Sequence, residues 1–186
     1  RCLCGADHGY PYLYNERPQE ALLPLADLGR GSSAGGTSYL ETAFLQEFRE
    51  NLFFCEWGRA VVRYRQSRAG SHFAEMQEID FAAGAANDPY GFKPTDLVVD
   101  YDGSLLISDW CDGQRPKRGR GRIYRISPPE TTSLPPHRGS PPSAPTTPLA
   151  GLNSNSYYTR VAAQRELERQ GAAALPALKT AMHGGT

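Results

Sequence analysis

The side chains best suited to binding chemistry stand at the end of a short apolar run. Asp109-Trp110 ends this run, with Asp112 close behind, and the same acid-Trp ending recurs at Glu56-Trp57. The side chains of Asp109, Trp110 and Asp112 could hold a cation or a substrate on the loop face. In the structural alternative, Trp packs between neighbouring sheets and the acids face water. The recurrence of the acid-Trp pair itself favours this structural alternative.

Two further groups of side chains leave their roles open. His8 could shuttle a proton, or it could be a loop histidine with a satisfied hydrogen bond. Six basic residues near the end of the β region could contact phosphates, but no aromatic platform accompanies them. A nucleic-acid interface is therefore disfavoured. These residues are Arg115, Lys117, Arg118, Arg120, Arg122 and Arg125.

Composition excludes several classes of function. Twenty basic and twenty acidic residues balance, so no global charge steers the chain toward nucleic acid or an anionic membrane. The chain contains no run of eighteen apolar residues, so no transmembrane segment is predicted. The start, Arg1-Cys2-Leu3-Cys4, has neither an initiator Met nor the apolar stretch of a signal peptide, and we expect a piece of a longer protein.

The cysteines give no metal or haem signature. Cys2, Cys4, Cys55 and Cys111 form no Cys-x-x-Cys pair, no Cys-x-x-Cys-His haem motif and no zinc spacing. We therefore expect neither a structural metal nor a bound haem in this segment. Isolated cysteines of this kind do not identify a cellular compartment.

A repeated strand pattern must position the acid-Trp pairs. The apolar run from Val98, the Asp102-Gly103 turn, a second apolar run and the segment 121–126 predict a meander of three strands. Residues 51–65 repeat the pattern, because an apolar strand again ends in acid-Trp and a Gly-Arg turn opens the next strand. The copies are offset by about 53 and about 62 residues, a period that suits four-stranded propeller blades with a decorated loop.

The remaining chain divides by composition. An outer strand is expected over Phe73 to Phe81 and an inner strand over Thr95 to Asp100, within a β region spanning 1–127. Eight of the fifteen prolines lie between Pro128 and Pro148, which indicates an extended linker over 128–149. In 150–186 a helix with Ser156 as N-cap should run to Gln170 and stop at Gly171. A second helix with Leu175, Leu178 and Met182 should follow.

The predicted fold class is therefore mainly β. We expect a partial β-propeller of about two four-stranded blades and a short C-terminal α-helical hairpin. Two short helices cannot bury their apolar faces alone, so the hairpin looks like the first unit of a helical solenoid.

Several motifs resemble a known family. They are Gly5–Pro11, Gly36–Tyr39, Asn51–Arg65, Lys93–Asp96 and the Asp102-Gly103 turn. Together they resemble the last third of the soluble glucose/sorbosone dehydrogenase-like six-bladed propellers, quinoproteins that oxidise sugars with pyrroloquinoline quinone (PQQ) and calcium. The helical segment is similar to a HEAT-like repeat, and propeller followed by HEAT is the order in planctomycete and verrucomicrobial "membrane-bound dehydrogenase" proteins. The resemblance implies a periplasmic protein, a sugar or polyol substrate and a c-type cytochrome partner.

The resemblance also implies roles for particular residues. Lys93 and Arg59 would bind the anionic groups of the quinone. His8 and Tyr10 would form a wall over the substrate, and Trp110 is a further candidate for substrate binding. The catalytic base and most calcium ligands of the family would lie in earlier blades, so this chain assigns no catalytic residue and no metal ligand.

The chain departs from the family pattern at two cofactor positions. The family's quinone-binding lysine falls near Gly58, with Arg59 adjacent, and Thr95 stands where a second arginine is expected. A lysine such as Lys93 holds a carboxylate as a point charge, without the bidentate fork of arginine. These departures favour the alternative function, a non-catalytic propeller and HEAT scaffold that binds a glycan or a protein.

Overall fold

A computed structural model of the chain describes residues 32–70, 72–73, 77–89, 91–110, 121–128 and 140–184. These residues are mainly β. The strands are β1 (Ser33–Ser38), β2 (Leu52–Glu56), β3 (Ala60–Arg65), β4 (Arg68–Ala69), β5 (His72–Phe73), β6 (Gln77–Ala83), β7 (Pro94–Val99), β8 (Leu105–Asp109) and β9 (Arg122–Ile126). The helices are α1 (Pro148–Gly151), α2 (Tyr157–Gln170) and α3 (Leu175–Gly184), and short 3-10 turns cover Gln46–Phe48 and Gly171–Ala174.

The strands form two antiparallel meanders. The first sheet has the order β1-β2-β3-β6, and the second sheet has the order β7-β8-β9. Between β3 and β6 the chain makes the two-stranded hairpin β4-β5, so the outer strand expected over Phe73 to Phe81 begins only at Gln77. The prediction of a mainly β chain built from antiparallel sheets is confirmed. Among the described residues the second sheet has three strands rather than the four expected.

One apolar core joins the two sheets. Alternating residues of β2 and β8 are buried, as expected for strands with one face toward a core. Residues from β2, β3, β7 and β8 meet in a single cluster, whose fully buried members are Tyr39, Phe53, Cys55, Val61, Leu97, Leu105 and Ile107. The two sheets therefore share this core.

The edge strands β1 and β7 of the two sheets lie side by side and run in the same direction. At their beginnings, a Cβ on Gly35 would lie only 2.6 Å from the Cα of Asp96. Beyond their ends, the hydroxyl of Tyr39 donates to the carbonyl of Gly103 over 2.8 Å. Both β1 and β7 also carry a register shift near their starts. Equivalent ends of the two sheets therefore face the same way.

The Asp-Gly turn is a hairpin connection, as predicted. Gly103 has a φ of +81°, a conformation that L side chains rarely adopt. The amide of Gly103 donates to the carbonyl of Asp100, and the amide of Ser104 donates to Oδ1 of Asp102. Arg125 on β9 pairs with both aspartates, which ties the turn to the outer strand of the second sheet.

The helical segment follows its sequence signals. The Ser156 hydroxyl accepts from the amide of Thr159, and Gly171 ends α2 with a φ of +56°, which confirms the predicted helix boundaries. The first turn of α2 contacts the β region through Tyr158. The amide of Tyr158 donates to Glu41, and the hydroxyl of Tyr158 donates to the carbonyl of Val99. In the described part of the chain, no helix is long and apolar enough to cross a membrane.

Candidate functional site

The two acid-Trp pairs occupy equivalent places at one end of the sheets, called here the tryptophan end. The amide of Trp57 donates to the carbonyl of Ser32 over 3.1 Å, and the amide of Trp110 donates to the carbonyl of Lys93 over 3.0 Å. The first bond joins the end of β2 to the start of β1, and the second joins the end of β8 to the start of β7. Because β1 and β7 are neighbours in the same direction, both tryptophans lie at the same end of the molecule. Their exposures are similar, 42% for Trp57 and 45% for Trp110.

The acids of these pairs hold the strands together. Glu56 and Asp109 are buried. Glu56 accepts from the hydroxyl of Ser33, and Asp109 accepts from the amide of Lys93 over 2.9 Å. The structure therefore differs from the structural alternative, because the acids are buried and bonded while the tryptophans are exposed. Asp112 lies outside the described residues.

Arg122 completes the structural network around Asp109. Its guanidinium lies 2.8 Å from Oδ2 of Asp109 and 2.7 Å from Oδ2 of Asp88, and it donates to the carbonyl of Gly91. Hydrogen bonding to Asp88 and then to Asp109 raises the pKa of Arg122 above its ordinary value, against the effect of desolvation. The loop that enters β7 is thus fixed to the start of β9.

The two residues expected to bind a quinone have different surroundings in the structure. Lys93 lies in the loop before β7, bonded through its backbone to Asp109 and Trp110. Arg59 lies in the turn between β2 and β3, where its guanidinium is 2.6 Å from Glu78 and 2.9 Å from Asp80 on β6. Lys93 is therefore grouped with Trp110, whereas Arg59 is engaged by the outer strand of the first sheet.

Other residues singled out in the sequence fall into two groups. His8 and Tyr10, the expected wall over the substrate, lie outside the described residues, as do Arg115, Lys117, Arg118 and Arg120 of the basic cluster. The two described members of that cluster, Arg122 and Arg125, are each paired with two aspartates. Among the described residues, no group of three or more His, Cys, Asp or Glu side chains could hold a metal ion.

Sequence reasoning did not select Trp57 as a binding residue. The signal was present in the repeat, because Trp57 follows Glu56 as Trp110 follows Asp109. In the structure, Trp57 and Trp110 make equivalent backbone hydrogen bonds and have similar exposures.

Comparison with protein-family models, with curated proteins and with solved structures finds no match to this chain.

Proposed function

We propose that the two sheets are neighbouring blades of a β-propeller and that the chain binds a sugar or polyol at its tryptophan end. The observation that carries this proposal is the pair of exposed indoles, Trp57 and Trp110, at equivalent strand ends on one side of the molecule. Repeated sheets packed face to face around parallel inner strands support the propeller arrangement.

The charges nearby disfavour an anionic ligand. Each arginine at this end pairs with two carboxylates, Arg122 with Asp88 and Asp109 and Arg59 with Glu78 and Asp80. An indole presents a large, rigid apolar surface with one N–H donor, which suits the C–H face of a sugar ring and one of its hydroxyl groups. A sugar or polyol therefore fits this surface better than a polyanion such as nucleic acid.

Binding should depend on the indole rings. Isothermal titration of the intact protein with a panel of neutral sugars and polyols should give saturable binding, which Trp110→Ala and Trp57→Ala each weaken by about tenfold. Leu45→Ala is the matched control, because Leu45 is an exposed apolar residue of the β1–β2 loop, at the opposite end of the first sheet. Equal affinity in the tryptophan variants and wild type would remove the proposal's basis.

A second candidate function is quinone-dependent oxidation of the bound sugar or polyol, as in the PQQ dehydrogenases that the sequence resembles. Lys93 fits this role, because its chain segment lies beside Trp110 and its ammonium group could meet a quinone carboxylate. Arg59 fits less well, because two carboxylates already neutralise its charge. When bound, the quinone would supply the redox chemistry, and this chain would supply position and charge. A periplasmic location, calcium and a c-type cytochrome partner belong to this candidate.

One assay separates the two candidates. The protein is supplied with PQQ and calcium, and reduction of an electron-acceptor dye by the sugars that bind is followed. Oxidation predicts quinone-dependent dye reduction that Lys93→Met diminishes while sugar affinity stays unchanged. Sugar binding without any quinone-dependent reduction assigns the chain to the non-catalytic alternative.

We also propose that the helical segment begins a HEAT-like scaffold. No residue of α3 is buried, and its apolar side chains include Leu175 and Met182, exposed by 50% and 80%. Such a surface supports stacking against further helices. A deletion of α3 that leaves the thermal transition of the sheets unchanged would agree with this arrangement, whereas loss of folding would place α3 in the core.

A further inference from the structure

One buried charged side chain in the described part of the chain has polar atoms without a hydrogen-bond partner. Five charged side chains are buried there: Glu41, Glu56, Arg63, Asp102 and Asp109. The four carboxylates all accept hydrogen bonds, from an amide, a hydroxyl or a guanidinium. Arg63 is only 9% exposed, yet its Nε and Nη1 have no hydrogen-bond partner among the described residues.

Apolar residues lie beside Arg63 on both neighbouring strands and at its guanidinium. Arg63 lies on β3 opposite Phe53 of β2 and Ile79 of β6, and its Cζ is 4.5 Å from the centre of the Phe48 ring. A guanidinium keeps its charge in proteins, so burial cannot be relieved by loss of a proton. Contact with an aromatic face compensates only part of the desolvation of a cation, and an oxyanion that accepts from the free N–H groups compensates more.

A buried acceptor without a donor lies on the same face of the sheet. Asn51 is 4% exposed, and its Nδ2 donates to the carbonyls of Glu47 and Arg49 over 3.0 and 2.8 Å. These two bonds fix the orientation of the amide, and Oδ1 is left with no partner in the described ranges. Asn51 directly precedes β2 and continues the pairing of β2 with β1, because its carbonyl accepts from the amide of Tyr39 over 3.0 Å. It stands two residues before Phe53, so the alternation of an extended chain places it on the face that carries Arg63.

We propose that Arg63 and Asn51 form a binding site for an oxyanion that also carries a hydroxyl group, with phosphate as its simplest form. The guanidinium would donate to the charged oxygens, and the hydroxyl would donate to Oδ1 of Asn51. The ligand is free phosphate or the phosphate group of a larger molecule, which share this chemistry. Arg63 lies toward the end of the first sheet opposite Trp57. This site is therefore independent of the proposed sugar site.

The test is phosphate binding to the intact chain, measured by calorimetry and by the thermal midpoint Tm. Relative to chloride at equal ionic strength, inorganic phosphate should raise Tm saturably, by about 5 to 10 °C at a hundredfold excess over its dissociation constant. Arg63→Met should abolish the saturable part. Arg59→Met, an exposed arginine at the tryptophan end, should retain it. Any general effect of phosphate on protein solvation is common to all three proteins and cancels in the comparison.

A second variant keeps the test decisive if Arg63→Met fails to fold. Asn51→Asp places a negative charge beside the bound oxyanion, and the repulsion should also abolish the phosphate effect. A glycerol phosphate distinguishes the two sources of ligand: tighter binding than free phosphate indicates a phosphate group on a larger molecule, and weaker binding indicates the free ion. Either result supports the site. A Tm that responds to phosphate equally in wild type, Arg63→Met and Asn51→Asp, or in none of them, overturns the proposal.

Discussion

Replacing Asp109 by Asn isolates the charge that holds the second sheet at the tryptophan end. The amide is nearly isosteric, and its Oδ1 can still accept from the amide of Lys93, so the change removes mainly the attraction to Arg122. The side chain of Asp109 is 0% exposed and that of Arg122 is 32% exposed. The pair therefore lies between exposed salt bridges, which contribute below about 1 kcal/mol, and fully buried pairs, whose disruption costs about 3 to 5 kcal/mol.

We expect Asp109→Asn to lower the free energy of unfolding by about 2 kcal/mol, equivalent to a fall in Tm of about 4 to 8 °C for a chain of this size. The matched control is Glu56→Gln, at the equivalent position of the first sheet. Glu56 is also buried, but it accepts from the neutral hydroxyl of Ser33, so the same change should cost below about 1 kcal/mol.

Thermal and urea unfolding of both variants gives the comparison. A double-mutant cycle with Arg122→Met then measures the coupling between Asp109 and Arg122, expected at about 1 to 2 kcal/mol. Partial burial should preserve most of this coupling at high salt. If Asp109→Asn costs no more than Glu56→Gln, or if the coupling is zero, the assignment of Asp109 as a structural anchor is refuted.

Two further predictions address the turn and the outer strand. Gly103→Ala should destabilise the protein by about 2 to 4 kcal/mol, because a Cβ at this positive φ would lie 2.5 Å from the Cβ of Ala43. Gly58 has the same φ but open space around it, so Gly58→Ala should cost only about 1 to 2 kcal/mol. Equal losses in urea unfolding would exclude the steric part. The hydrogen bond from Tyr64, and then the contact with Arg59, lower the pKa of the Glu78 carboxyl below its ordinary value. The stability contributed by ionised Glu78 should be present above that ordinary value and lost as pH falls through the lower folded pKa. The Tm difference between wild type and Glu78→Gln should therefore shrink on acidification, and a difference independent of pH would contradict the assignment of Glu78 as an ionised partner of Tyr64 and Arg59.

Local signals in the sequence were sufficient to predict the strand pairs β2-β3, β7-β8 and β8-β9 and the boundaries of α2. The Asp102-Gly103 turn, the Ser156 cap and the Gly171 stop each act within a few residues, so their physics is visible in the chain itself. The repeat of acid-Trp followed by a Gly-Arg turn also identified β2-β3 and β8-β9 as equivalent pairs.

The partners of the charged side chains could not be predicted in the same way. Glu41 meets the amide of Tyr158 across 117 positions of the chain, and Arg122 binds Asp88 on a loop that the repeat does not contain. Such contacts depend on how the sheets pack. For the same reason, the burial of Asp109 and the isolation of Arg63 became visible only in the folded chain.

Tryptophan fluorescence tests the central claim most directly. The chain has two tryptophans, and both stand at the tryptophan end, so selectively excited indole emission reports only on the proposed sugar site. Titration with neutral sugars and polyols should change this emission saturably and protect it from quenching by acrylamide, with part of the signal lost in Trp57→Phe and part in Trp110→Phe. Emission and quenching that stay constant across the whole panel would contradict a sugar or polyol site at these strand ends.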